Sequence, residues 1–157
     1  MSIANKHYSS ILERFIHDMA FESEGVELDK RVLALGIQRV FNCPELGLYV
    51  VAELRNIEYD IREVQGKIVG CLLLSREWSD WRNKAWYWIN SVYVKPEHRR
   101  KGVYSSMHQF VENLAKQHNS CGLRLYVNKD NKRAQSTYEL LGMKHPDYLM
   151  YEQELTE

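Results

Sequence analysis

Residues 85–117 constrain this chain more than any other stretch. AWYWINSVYV (85–94) is a run of β-formers that is apolar on both faces, as a strand in the interior of a sheet is. Lys95-Pro96 ends it, because proline removes a donor from the ladder. A basic loop follows over 97–102 and closes on Gly102. The apolar period then changes to that of a helix: Val103, Met107, Phe110, Val111, Leu114 and Ala115 fall on one stripe running to Gln117. A strand that enters a helix through a cationic, glycine-ended loop is an anion site in outline. The first turn of a helix leaves N–H groups unpaired, and the helix dipole adds partial positive charge there. Gly102 lets backbone approach a ligand without a Cβ, and Arg99, Arg100 and Lys101 add charge. A pyrophosphate fits such a place. Neither GxxxxGK[ST] nor GxGxxG is present. Taken alone, the segment also reads as a solvated basic loop ahead of a helix.

The rest of the chain supplies the other layers. Tyr8, Ile11, Leu12, Phe15, Ile16 and Met19 recur at helical spacing. An acidic connection containing Glu22, Glu24, Glu27 and Asp29 follows, with Asp29 as the N-cap of a second helix. Val32, Leu33, Gly36, Ile37, Val40 and Phe41 form the buried side of that helix, which stops before Pro44. Strands are expected over 48–54, 59–64, 67–74, 123–127 and 148–155, and 75–84 reads as an exposed connection. A short helix is expected over 131–141, with Ala134, Thr137, Tyr138 and Leu141 on one face and Gly142 at its C-cap. The order ααβββαβαβ describes a mixed α/β domain around one sheet, and the expectation is a single domain over 1–157.

Composition removes several functions. Lys plus Arg and Asp plus Glu are both 21, so the basic excess of a general nucleic-acid binder is missing. No apolar run approaches the roughly 20 residues of a membrane span. The N-terminus lacks an apolar signal region, and Cys43, Cys71 and Cys121 contain no CxxC pair, so a reducing cytoplasm with free thiols is expected. The six histidines are scattered without HExxH, and no metal site is expected.

Two blocks carry a family resemblance. Arg99-Arg100-Lys101-Gly102-Val103-Tyr104 resembles the R/Q-x-x-G-x-G/A signature of the GNAT superfamily of acyl-CoA N-acyltransferases. Asn131, Ala134, Tyr138 and Gly142 resemble its N-x-x-A-x-x-x-Y-x-x-x-G-F pattern, with Met143 in place of Phe. Tyr104 departs from the usual Gly or Ala. The resemblance implies a twisted mixed sheet whose central strands splay apart to admit acetyl-CoA. It implies cofactor contacts at Val92, Tyr93 and Val94, at the loop Arg99, Arg100, Lys101, Gly102, Val103, Tyr104 and Ser105, and at Asn131, Ala134 and Tyr138.

Acetyl transfer to an amine needs a deprotonated amine and a proton for the leaving thiolate. The resemblance makes Tyr138 the general acid. Asn90 stands where polyamine-type members carry a glutamate and cannot take a proton. A base acting through water would then come from Glu22, Glu24 or Asp80, each of which also reads as a solvated surface acid. Trp78, Asp80 and Trp81 combine aromatic faces with a carboxylate, which suits a cationic amine. That segment weakly resembles the spermidine/spermine (diamine) acetyltransferases, and Glu22, Glu24 and Asn90 join it as acceptor-side candidates. The two tryptophans suit a homodimer contact equally well. The expected function is N-acetylation of a small primary amine by acetyl-CoA. A non-catalytic acyl-CoA-binding module on the same fold is the alternative.

Overall fold

The structure, a computed structural model, describes residues 1–54 and 66–155. The chain divides into two compact units, Met1–Tyr126 and Val127–Glu157.

The first unit is built on a five-stranded sheet of order β1-β2-β3-β4-β5. The strands are β1 (Ser2–Ile3), β2 (Gly47–Leu54), β3 (Lys67–Ser79), β4 (Lys84–Val94) and β5 (Gly122–Leu125). The first four pair antiparallel in sequence order, and β5 pairs parallel to β4. Helices α1 (Ser9–Glu24) and α2 (Lys30–Asn42) precede β2, and α3 (Val103–Gln117) connects β4 to β5.

Both sheet faces are covered, which is why the strands read as apolar on both sides. Leu12, Phe15 and Ile16 of α1 and Ile37 of α2 pack with Tyr49, Val51, Cys71 and Tyr93. On the other face, Met107, Val111, Leu114 and Ala115 of α3 pack with Val50, Val69, Leu72, Leu74, Tyr87 and Ile89. Ile89 and Tyr93 share strand parity yet belong to opposite cores. A β-bulge explains this: Leu73 faces Asn90 while Cys71 faces Tyr93, so β4 carries one extra residue. Ser91 takes the left-handed backbone there, at φ 49°.

The sequence places most elements correctly. Asp29 caps α2, accepting from the N–H groups of Arg31 and Val32 at 2.7 and 3.2 Å. The stripe of α3 is buried as read, with His108 added to it. Several expectations need correction. Residues 75–84 are mostly strand, with a turn only over 80–83, because Ser75, Glu77 and Ser79 alternate inward against exposed Arg76 and Trp78. Glu22 and Glu24 lie in the last turn of α1, since the helix runs on to a left-handed Gly25 cap. Val32 is 67% exposed and Gly36 is also exposed, because the buried side of α2 centres on Ile37. Strand β1 was absent from the sequence reading. The expected strand over 59–64 lies outside the described residues.

The second unit contains α4 (Lys132–Leu140). Its N-cap is Asn131, whose side chain accepts from the Ala134 N–H at 3.0 Å. Gly142 follows at φ 83°, the backbone expected of a glycine that closes a helix. Residues 148–155 are not a strand. Their alternation is real, but the unit has no strand among its described residues to complete a ladder, and unpaired backbone then stays with solvent.

Candidate functional site: the loop between β4 and α3

The parallel pairing of β4 with β5 ends at Ile89 opposite Leu125. Strand β4 continues to Val94 without β5 beside it. This opening on one edge is the splay expected of the sheet, and it holds Val92, Tyr93 and Val94. A short 3₁₀ turn, Pro96–His98, leads into the basic loop.

The loop backbone is unusual at two positions. Arg100 has φ 62° and Gly102 has φ 76°. A left-handed conformation is free for glycine and costs an ordinary residue about 1–2 kcal/mol. The first bond of α3 runs from the Ser106 N–H to the Gly102 carbonyl, at 3.0 Å. The N–H groups of Val103 and Ser105 therefore have no intrahelical acceptor, and Gly102 at the N-cap offers them no side chain. A Cβ built on Gly102 meets nothing within 4 Å. Arg100 and Lys101 are exposed beside this open space. A helix N-terminus with a glycine at its N-cap, two exposed cations and free room fit the phosphates of a CoA thioester.

Arg99 behaves differently from its neighbours. Its Nε donates to the Val94 carbonyl at 2.7 Å, and its guanidinium pairs with the Glu22 carboxylate at 2.5 Å. The guanidinium carbon also lies 5.6 Å from the centre of the Tyr93 ring. Burial and the nearby Glu22 carboxylate hold the Tyr93 hydroxyl above its ordinary pKa.

Asn90 sits beside the bulge. Its amide donates to Ser75 Oγ at 2.9 Å and to the Trp88 carbonyl at 3.1 Å. Trp78, Asp80 and Trp81 lie at the β3–β4 turn, where the Asp80 carboxylate accepts from the Trp81 N–H at 2.9 Å. Trp78 is 64% exposed and Trp81 85%. The 11 residues of β4 separate this turn from the basic loop, about 33 Å of extended chain. Glu22 is tied to the loop end, so the structure does not gather Trp78, Asp80 and Trp81 around it.

The sequence reading missed a network on the face of Asn90. Glu77 accepts from Arg124 at 2.8 Å and from the Trp88 indole N–H. Arg124 lies 4.1 Å from the Trp86 ring centre, and Trp88 stacks on Tyr126 at 4.3 Å. The signal for it is the alternation of Ser75, Glu77 and Ser79 against Trp86, Trp88 and Asn90, masked on one side by the polar composition of 75–84.

In the second unit, burial holds the Tyr138 hydroxyl above its ordinary pKa, so it carries its proton at neutral pH. Buried Cys71 is pushed up to about 12 by desolvation and is no thiolate nucleophile at neutral pH. Among the described residues, no three His, Cys, Asp or Glu side chains converge as metal ligands. No described helix is long and apolar enough to cross a membrane.

A splayed mixed sheet with a phosphate-type loop at the opening defines an acyl-CoA-binding α/β protein. Residues 15–143 match the acetyltransferase (GNAT) family, and the chain belongs to that family, whose members take acetyl-CoA as cosubstrate. It is similar to a "possible acetyltransferase" from Clostridium difficile 630, with 36% identity, coverage of 99% and 97% of the two chains, and a TM-score of 0.86. It is also 37% identical over 81 residues to the thialysine N-epsilon-acetyltransferase of Bos taurus, which covers 51% of this chain. The matched stretch spans about half, 47%, of the length of that curated relative. A predicted acetyltransferase from Clostridium acetobutylicum, solved with acetyl-CoA, shares the fold at a TM-score of 0.75 and 18% identity over 97% and 94% of the two chains.

Proposed function

We propose that this protein is an acetyl-CoA-dependent N-acetyltransferase that acetylates a small primary amine. The observation that carries the reading is the loop: left-handed Arg100 and Gly102 at the start of α3, with no side-chain cap at the N-cap and the Arg100 and Lys101 cations exposed. Acetyl-CoA supplies an activated thioester carbonyl. The chain's part is to hold the phosphates on the backbone of residues 100–105 and the pantetheine on the open edge at Val92 and Val94. Similarity to a thialysine N-epsilon-acetyltransferase supports an acceptor that carries a primary amine on a flexible chain.

Tyr138 is the proposed general acid, protonated at rest and delivering its Oη proton to the leaving sulfur. Asn90 does not titrate, so the amine loses its proton through water, with Glu24 as the preferred carboxylate because Glu22 is engaged by Arg99. Exposed Trp78 and Trp81 are proposed as a contact between two copies in a homodimer.

Thiol release from acetyl-CoA in the presence of a panel of amines tests the reading. Cationic primary amines should react, and neutral or anionic compounds should not. Tyr138→Phe should lower kcat on the order of 10²-fold where chemistry limits the rate. Acetyl-CoA binding without release in any amine would favour the binding-module reading, to which Asn90 in the glutamate's place also points.

A further inference from the structure

Glu22 and Arg99 come from distant parts of the sequence, where one reads as an acceptor-side acid and the other as a phosphate-loop cation. The structure joins them. The Arg99 guanidinium turns back from the loop, and its partners are the carbonyl of Val94, the Glu22 carboxylate and the face of Tyr93. Of the three cations in the loop, Arg100 and Lys101 are exposed, whereas Arg99 is half-buried.

We propose that Glu22 is a positioning residue for the cofactor loop, acting through Arg99. The inference rests on the reading of that loop as the CoA phosphate site. Arg99 immediately precedes left-handed Arg100, a conformation that a non-glycine residue adopts at a cost. Anchoring Arg99 on one side, and the Ser106–Gly102 bond of α3 on the other, leaves only residues 100–102 to be ordered between two fixed points. The ion pair thus sets the loop's donor geometry before the cofactor arrives, which reduces the ordering cost of binding. Only a guanidinium reaches both partners at once: Nε meets Val94 while a terminal nitrogen meets Glu22. A lysine would keep the charge and lose this fork. The pair also connects the last turn of α1 to the end of β4, and therefore to the splayed edge.

Titration of the full-length protein with CoA by calorimetry, at two salt concentrations, tests the proposal. Glu22→Gln and Arg99→Lys should each weaken CoA affinity about three- to tenfold. The double variant should be no worse than the weaker single one, because both remove the same link. The slope of affinity against salt should stay as in the parent, since no phosphate contact is lost, and KM for the amine should not change. Glu22→Gln lies at an exposed helix end and is expected to leave the fold intact. Parent-like CoA affinity in Glu22→Gln with a raised amine KM and a flattened acid limb of kcat/KM would overturn the proposal and place Glu22 against the acceptor. Parent-like affinity in Arg99→Lys, with a shallower salt slope in Arg99→Ala, would overturn it by placing Arg99 on phosphate. Failure of the parent to bind CoA would remove the cofactor reading itself, and this inference with it.

Discussion

The first half of β4 is flanked by β3 on one edge and β5 on the other, and the half-buried polar groups there satisfy one another: Glu77 holds both the Trp88 indole and Arg124, while Trp86 lies under the Arg124 guanidinium. The second half has lost β5, contains a bulge at Ser91 and ends in a cationic loop that starts α3 without a side-chain cap at its N-cap. One strand therefore has a closed end and an open end. The closed end contributes rigidity, because a satisfied network in a half-buried setting has nothing left to offer a ligand. Donors at a helix start, held in place by neighbours, are what a ligand can use. Function is assigned to the open end for that reason.

The largest expected effect tests the closed end. Gly122 pairs with Trp86, and a Cβ on it would come 2.9 Å from that ring, at a backbone φ of 147°. Gly122→Ala should destabilise the fold by about 1–3 kcal/mol. CoA affinity should stay as in the parent, and a variant with intact stability but weakened CoA binding would erase the distinction between the two ends. Gly102→Val tests the open end. Its Cβ meets no protein atom, so the cost lies in the left-handed backbone and in space reserved for the ligand. Melting should change little beyond that strain, while CoA affinity should fall by about tenfold or more. Undiminished affinity in a folded Gly102→Val protein would show that the phosphates lie elsewhere.

Glu77→Gln should have a smaller effect. One of its two partners then faces an amide N–H₂ instead of a carboxylate oxygen, at a site open to water. A loss of about 1 kcal/mol or less is expected in denaturant unfolding, with acceptor KM and CoA affinity unchanged. A raised KM would bring this face into the acceptor site and sharpen the comparison in the other direction. The smallest effect concerns His108, on the helix that the loop starts. It is 5% exposed, its Nε2 has no hydrogen-bond partner, and burial lowers its pKa below the ordinary value. The unfolded chain then binds the proton more readily, so stability is full above pH ~6.5 and declines as pH falls below it. His108→Leu should flatten that decline, as read by melting temperature across the acid range, and an unchanged slope would remove His108 from the account.

Legibility in the sequence followed the range of the interactions. The α3 stripe, the Asp29 cap of α2 and the Gly142 that closes α4 were readable because each depends on residues within one or two turns. The boundaries of 75–84 were misread because polar and aromatic residues dominate there, although the period of two was present. The strand expected over 148–155 failed for the opposite reason: the pattern was present without a partner. Of the candidate site, the cationic loop and its glycine were visible, and Gly102 has the left-handed backbone that its place in the motif suggests. The destination of Arg99 was not visible, because its partner Glu22 is 77 residues away in the chain.

Most of the helices and strands, the covering of the sheet on both faces and the place where an anion would find donors are legible in the chain itself. Those follow from local periodicity, from apolar content on both strand faces, and from the fixed chemistry of a helix N-terminus behind glycine. Tertiary structure decided the rest. It set the bulge that turns Tyr93 into the α1 core, the point at which β5 leaves β4, and the choice of Arg99 over Arg100 or Lys101 as the residue turned inward. Each depends on which distant backbone or carboxylate lies within hydrogen-bond reach once the layers have packed, and no local pattern in the chain carries that distance.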